Sequence, residues 1–179
     1  MKVIQLFKNE NQLIKKASKN NRDAQRHLYE QYSPKMLGVC RQYIKDLQQA
    51  EEVMLEAFYK VFLNLDKFRF EGSFEGWMRK IMLRECLSFL RKNKKIEFLE
   101  ENKFEAEVDE NISGELEAEE IQAIIDSLPE GYKLVFVMYA IEGYKHSEIA
   151  SELNITEGTS KSQLFKARKM LQEKLKIKN

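Results

Sequence analysis

The chain has 179 residues, enough for one ordinary domain or two small ones, with 43% apolar and 33% charged residues and a net charge of +1. That balance excludes a disordered chain, and two prolines with seven glycines are too few to turn an all-β protein of this length. The two cysteines, Cys40 and Cys86, both sit in helix-like apolar patterns, which excludes a disulfide scaffold or a four-ligand zinc site and fits a reducing cytoplasm. The opening run MKVIQLFKNENQLIKK is too short in apolar residues for a signal peptide, and nothing approaches the roughly 20 apolar residues of a membrane span. A cytoplasmic protein without membrane insertion is expected. The near-zero net charge hides a segregation. Residues 1–95 hold 20 Lys and Arg against 11 Asp and Glu, residues 96–128 hold 1 against 12, and residues 129–179 hold 9 against 6. Local phosphate neutralisation, rather than the sum, governs binding to nucleic acid.

Successive helices are expected in the first block. Asn21 caps one that runs from Asp23 to Tyr32, with Ala24, Leu28 and Tyr32 on one face. Ser33-Pro34 restarts the chain as N-cap and first helical residue of a second helix carrying Leu37, Cys40 and Ile44. A third begins near Asp46, with Ala50, Val53, Ala57 and Val61 in one stripe and Glu52, Glu56 and Tyr59 elsewhere. FRFEGSF interrupts the period. A last helix is apolar at Trp77, Ile81, Cys86 and Leu90 and ends in a basic cluster; Phe74 and Trp77 are expected in the core. Residues 96–115 are acidic and weakly apolar and read as a flexible linker. The helical period resumes from Leu116, is broken at Pro129 and Gly131, and returns in YKLVFVMYAIEGY. The expected fold is all-α: two small helical domains, 1–95 and 116–179, joined by the acidic linker 96–115.

GYKHSEIASELNITEGTSKSQLFKARKML carries the most information. Ile149, Ala150 and Leu153 give a short helix one apolar face, and small Ala150 lets a second helix cross closely. Asn154-Ile155 makes the turn, asparagine tolerating the left-handed conformation. Thr156 caps the second helix, in which Ser160, Leu164, Ala167, Leu171 and Leu175 face the core. The opposite face carries Thr159, Lys161, Ser162, Gln163, Phe165, Lys166 and Lys169. Cations, an amide and an exposed aromatic suit a helix in the major groove of DNA.

At these residues the sequence resembles the C-terminal, minus-thirty-five-reading domain of bacterial sigma factors. The resemblance rests on Leu128-Pro129, Glu142-Gly143, Glu148-Ile149-Ala150, Leu153, Gly158-Thr159, Lys161-Ser162, Leu164, Ala167-Arg168 and Leu171. It departs at Ser160, where a branched apolar residue is usual, at Gln163, where arginine is usual, and at Lys145, where a Ser or Thr cap is common. The amino-terminal block resembles the family independently: DAQRHLYEQY its opening helix, AEEVMLEAFYKVF the polymerase-docking segment, FEGSFEGWMRKI the loop and helix that open the minus-ten element. Leu55 stands where glutamine is typical, and Arg84 where asparagine is. With no middle domain between the two blocks, the chain is similar to the extracytoplasmic-function class.

The resemblance implies core RNA polymerase, promoter DNA and an anti-sigma factor as partners, with no cofactor, metal, catalytic residue or small-molecule substrate. It implies polymerase docking through Asp46, Gln49, Glu52, Leu55, Glu56 and Tyr59. Minus-ten recognition and melting fall to Phe68, Arg69, Phe70, Arg79, Lys80 and Arg84, and minus-thirty-five recognition to Thr159, Lys161, Ser162, Gln163, Phe165, Lys166, Arg168 and Lys169. A free-standing helix-turn-helix regulator would need a dimerisation element, and no heptad is present. An enzyme is disfavoured: His146-Ser147-Glu148 lacks a following cysteine pair, and no nucleophile elbow or phosphate loop occurs.

Overall fold

The computed structural model describes residues 10–93, 96–98 and 118–178, for the last three the backbone alone. It divides into two compact units, Met1–Asn93 and Lys94–Asn179. Every regular element among the described residues is helical, and none of these helices is long and apolar enough to cross a membrane.

The first unit comprises α1 (Glu10–Ala17), α2 (Arg22–Tyr43), α3 (Leu47–Leu63), a single 3₁₀ turn (Leu65–Lys67) and α4 (Phe74–Asn93). Helices α2, α3 and α4 pack on one another, and α1 lies along α2. The expected cap at Asn21 forms, and Asp46, singled out from sequence for polymerase docking, caps α3. Asn21 Oδ1 accepts from the Ala24 amide and Asp46 Oδ1 from the Gln49 amide, both at 2.9 Å, satisfying donors that the first turn leaves orphaned.

Two expectations fail here. Ser33-Pro34 does not restart the chain, because α2 runs straight through Pro34. Proline removes one ladder bond and costs roughly 3 kcal/mol inside a helix. Leu28, Tyr32, Met36, Val39, Cys40 and Tyr43 nevertheless form one buried stripe across it. Each such burial contributes about 1.5–3 kcal/mol, so tertiary packing outweighs the break. In α4 the buried stripe is Phe74, Met78, Met82, Leu83, Cys86, Leu87 and Leu90. Trp77 and Ile81 are only half-buried on its flank. The methionines, polarizable and unbranched, fill the space where a Trp77–Ile81 stripe was expected. Cys40 and Cys86 meet in this core. Their mutual hydrogen bond, then burial, pushes the Cys86 thiol well above its ordinary range.

The second unit comprises α5 (Ala118–Asp126), α6 (Glu130–Phe136) continued by a π turn (Val137–Ile141), α7 (His146–Leu153) and α8 (Glu157–Lys178). Helix α8 packs against α5, α6 and α7. Its core holds an ion pair: Lys133 Nζ lies 3.0 Å from Asp126 Oδ1, with side chains 1% and 3% exposed, tying the end of α5 to α6. Pro129 sits at the N-cap of α6, but Gly131 lies inside the helix rather than breaking it. Its reason is a close approach. A Cβ on Gly131 would come within 2.6 Å of the Glu97 carbonyl oxygen and 3.2 Å of the Phe98 ring. Residues 96–98, the start of the expected linker, are therefore packed on the second unit, where only a residue without a side chain leaves them room. Residues 99–115 of that linker lie outside the described residues.

Candidate nucleic-acid interface

Three surfaces carry the residues singled out from sequence. The first is the outer side of α3. Asp46 is committed to the helix cap, while Gln49, Glu52 and Glu56 are exposed. Leu55 is 52% and Tyr59 65% exposed, and Leu63, one turn further on, is 60% exposed. Large apolar side chains at i, i+4 and i+8 form a stripe that no other described residue of the unit covers. Leu63 was missed from sequence, although its spacing from Leu55 and Tyr59 was there to be read. Beside the stripe, Glu52, Glu56, Glu85 and Lys92 rim a groove of 240 Å³ between α3 and α4, floored by Val53 and Phe89.

The second surface is the segment before α4. Phe68 is buried, with ring centroids 4.9 Å from Phe70, 5.2 Å from Phe74 and 5.6 Å from Trp77. As the hub of an aromatic cluster it is not available to stack on a base, which corrects its assignment. Burying that ring is favourable while leaving it on the loop is not. Phe70 is available: it is 39% exposed, and its backbone takes the left-handed conformation at φ 60°. A bulky residue held there costs on the order of 1–3 kcal/mol. Lys15 of α1 sits 5.3 Å above its ring. Arg69 is exposed beside it.

Arg79 faces another way. Its Nε lies 3.2 Å from Glu75 Oε1, and Lys35 Nζ lies 2.7 Å from Glu75 Oε2. The Lys35 hydrogen bond, followed by that of Arg79, holds the Glu75 carboxyl below its ordinary range. Lys80 and Arg84, one turn apart on α4, are exposed.

The third surface is the helix-turn-helix of α7 and α8. The Lys145 amide donates to Glu148 Oε2 at 2.8 Å, so the helix is capped from its third residue and no Ser or Thr is needed at 145. Asn154 turns the chain at φ 55°, ψ 48°. Thr156 Oγ1 accepts from the Thr159 amide at 3.0 Å and starts α8.

The outward face of α8 is narrower than expected. Lys161, Arg168 and Lys169 are exposed, whereas Ser162, Phe165 and Lys166 are half-buried. Thr159 and Gln163 are buried, which corrects both. The Thr159 hydroxyl is bonded to Thr156 Oγ1 at 2.9 Å, and Gln163 turns towards Gly131, its Oε1 3.1 Å from the Cβ position there. The helix is rotated so that Ser160, Gln163, Leu164, Ala167 and Leu171 face inward, because α6 crosses α8 on that side. Phe165, expected to be fully exposed, is partly covered for the same reason. Two further residues escaped the sequence reading. His146 Nδ1 lies 2.9 Å from Ser160 Oγ, and its ring stacks on Tyr139 at 4.6 Å and 22°. The Arg168 guanidinium lies 5.7 Å from the Tyr139 centroid. The unusual Ser160 was the available signal, since a buried hydroxyl needs a partner.

Two family models match this chain. Residues 28–96 match sigma-70 region 2, and residues 118–171 match sigma-70 region 4. The ECF RNA polymerase sigma factor SigW of Bacillus subtilis (strain 168) is 27% identical over 178 residues, covering 91% of this chain and 95% of that protein. The ECF RNA polymerase sigma-E factor of Escherichia coli (strain K12) is 25% identical, covering 91% of this chain and 92% of its own. Among solved structures, RpoE of Bartonella quintana, in complex with the anti-sigma factor NepR, aligns with TM-score 0.58 and 19% identity over 86% of this chain and 98% of that one. CnrH, in complex with the cytosolic domain of CnrY, aligns with TM-score 0.56 and 18% identity over 95% and 99%. With both family regions matched in order and its curated relatives covered almost end to end, the chain belongs to the sigma-70 family, in its extracytoplasmic-function class.

Proposed function

We propose that the two units act in sequence on one promoter, the first docking on core RNA polymerase and opening the minus-ten element while the second reads the minus-thirty-five element. A sigma factor serves transcription initiation, and in this reading the polymerase supplies all the chemistry in the cytoplasm while this chain supplies specificity. The observation that carries it is the union, in one chain, of an exposed apolar and acidic face on α3 with a helix-turn-helix whose outer face is cationic.

On α3 the docking set is Gln49, Glu52, Leu55, Glu56, Tyr59 and the newly found Leu63, with Asp46 holding the helix end. An apolar centre with an acidic rim suits a partner helix of opposite charge. Phe70, strained and exposed between Lys15 and Arg69, is the base-stacking candidate. Stacking on an aromatic contributes about 1–3 kcal/mol and offsets part of the cost of unstacking a base. Lys80 and Arg84 meet the phosphates alongside it. In α8 the DNA set narrows to Lys161, Ser162, Phe165, Lys166, Arg168 and Lys169. Such a cationic set contributes phosphate affinity that weakens with salt. By analogy with the relative from Bartonella quintana, solved in complex with an anti-sigma factor, a protein of that kind is the expected negative partner.

In vitro transcription of a genomic library by core polymerase, with and without the protein, tests the whole reading. Protein-dependent start sites are expected; their absence overturns it. A free-standing regulator would account for residues 118–171 only and leaves the region 2 match without a purpose.

A further inference from the structure

The node at His146 joins three elements of the second unit. The imidazole belongs to the first turn of α7, its stacking partner Tyr139 to the π turn, and its hydrogen-bond partner Ser160 to α8. The serine stands where the family usually has a branched apolar residue, and it is fully buried. A buried hydroxyl without a partner is costly, so the histidine and serine act as one replacement for an apolar contact. The charged groups that face the ring all come from α8: Lys161 and Arg168, which disfavour a charge on it, and Glu157, which favours one. The π turn contributes the Tyr139 ring. On α7 itself stand Lys145, at the N-cap, and Glu148, whose carboxylate is held by the Lys145 amide. Burial first, then Lys161, holds the imidazole below its ordinary value in the free protein.

The same two cations, Lys161 and Arg168, are in the set proposed to meet DNA. Phosphates that neutralise them remove the repulsion that adds to burial in keeping His146 uncharged, and contribute an attractive field of their own. The first helix of a helix-turn-helix crosses the DNA backbone, which brings the start of α7 into that field. We propose that His146 is a proton-linked positioning residue of the DNA-reading unit: its imidazole takes up a proton from solvent as α8 closes on promoter DNA, so that binding tightens as the pH falls from 8 towards 6. The inference rests on the DNA-reading role of α8. In the protonated state Nδ1–H donates to Ser160 Oγ, and the serine proton turns to the Thr156 carbonyl one helical turn back. The tie between α7 and α8 thus survives the charge.

The chain has only two histidines, His27 in the first unit and His146 in the second, so their ring protons can be titrated separately by NMR in the full-length protein. With a duplex carrying a promoter found by the transcription assay, the His146 titration is expected to move upward while that of His27 stays. Each unit of upward movement corresponds to about tenfold tighter binding below both values than at pH 8. H146Q, which keeps an amide near Ser160 but takes no proton, is expected to bind as the parent does at pH 8 and to lose the tightening at pH 6. An unmoved His146 titration in a duplex that binds overturns the inference alone. A duplex that fails to bind at every pH and at low salt overturns it together with the reading of α8.

Discussion

The two units bury different chemistry. The first closes over an apolar interior of leucines, methionines, aromatics and two thiols, whereas the buried polar residues among those described, Lys133, Thr159, Ser160 and Gln163, lie in the second, together with the buried Asp126 carboxylate. The first unit is therefore stabilised mainly by filled volume, which many sequences supply. The second depends on particular partners being present, because a buried polar group that loses its partner costs more than the bond contributed. A docking platform needs bulk and a rigid face. A DNA-reading unit also needs a fixed angle between two short helices, and polar ties specify that angle where a small apolar core would leave it loose.

The sharpest way to break this contrast is to remove one partner of the buried pair. Lys133→Ala leaves the Asp126 carboxylate buried without its ammonium and is expected to cost about 3–5 kcal/mol. The double replacement Lys133→Met with Asp126→Leu should recover most of it. Denaturation followed at the His146 ring protons reads this loss in the second unit. If the double variant is as unstable as the single one, volume rather than pairing holds this core as well.

Phe58→Ala is the counterpart in the first unit. The ring is buried between α2 and α3, 4.9 Å from Tyr29 and 6.0 Å from Phe62, and its loss leaves a cavity worth about 3–5 kcal/mol. The single tryptophan, Trp77, and the buried thiols of Cys40 and Cys86 report this unit alone. Thiol labelling should accelerate in the variant while the His146 signals melt where they did before. A shared shift of both reporters would mean that the units unfold as one and that the contrast between them is not thermodynamic.

Acid separates the units more gently. His146 titrates below its ordinary value of 6.5 in the fold. The unfolded chain therefore takes the proton first, and the second unit's stability is complete above that value and falls as pH drops beneath it. The Glu75 carboxyl is held below its ordinary 4.5 by Lys35 and Arg79. Its contribution to the first unit is complete above 4.5 and is lost only as pH falls through its lower folded value. Between pH 6.5 and 5 the His146 reporter should therefore show a falling denaturation midpoint while Trp77 does not. Equal falls would remove the histidine as the cause.

Much of this was readable in the chain. Helical class, the caps at Asn21 and Thr156, the turn at Asn154 and the stripe of Ala50, Val53, Ala57 and Val61 are all local consequences of residue type and spacing, and the structure has each. The family followed from motifs of the same local kind. The misreadings share one cause. Pro34 inside α2, Gly131 inside α6, Phe68 in the aromatic cluster and Thr159 and Gln163 on the inner side of α8 depend on what packs against the helix from a distance. A helical period of 3.6 residues says which positions share a face, but the rotation that selects the buried face is set by neighbouring elements. Residue type and spacing were thus enough to set the helices, the order of the two regions and the family. Packing between helices was needed to choose which side of α8 looks outward, and so left Lys161 and Arg168 exposed and made His146 the partner of Ser160.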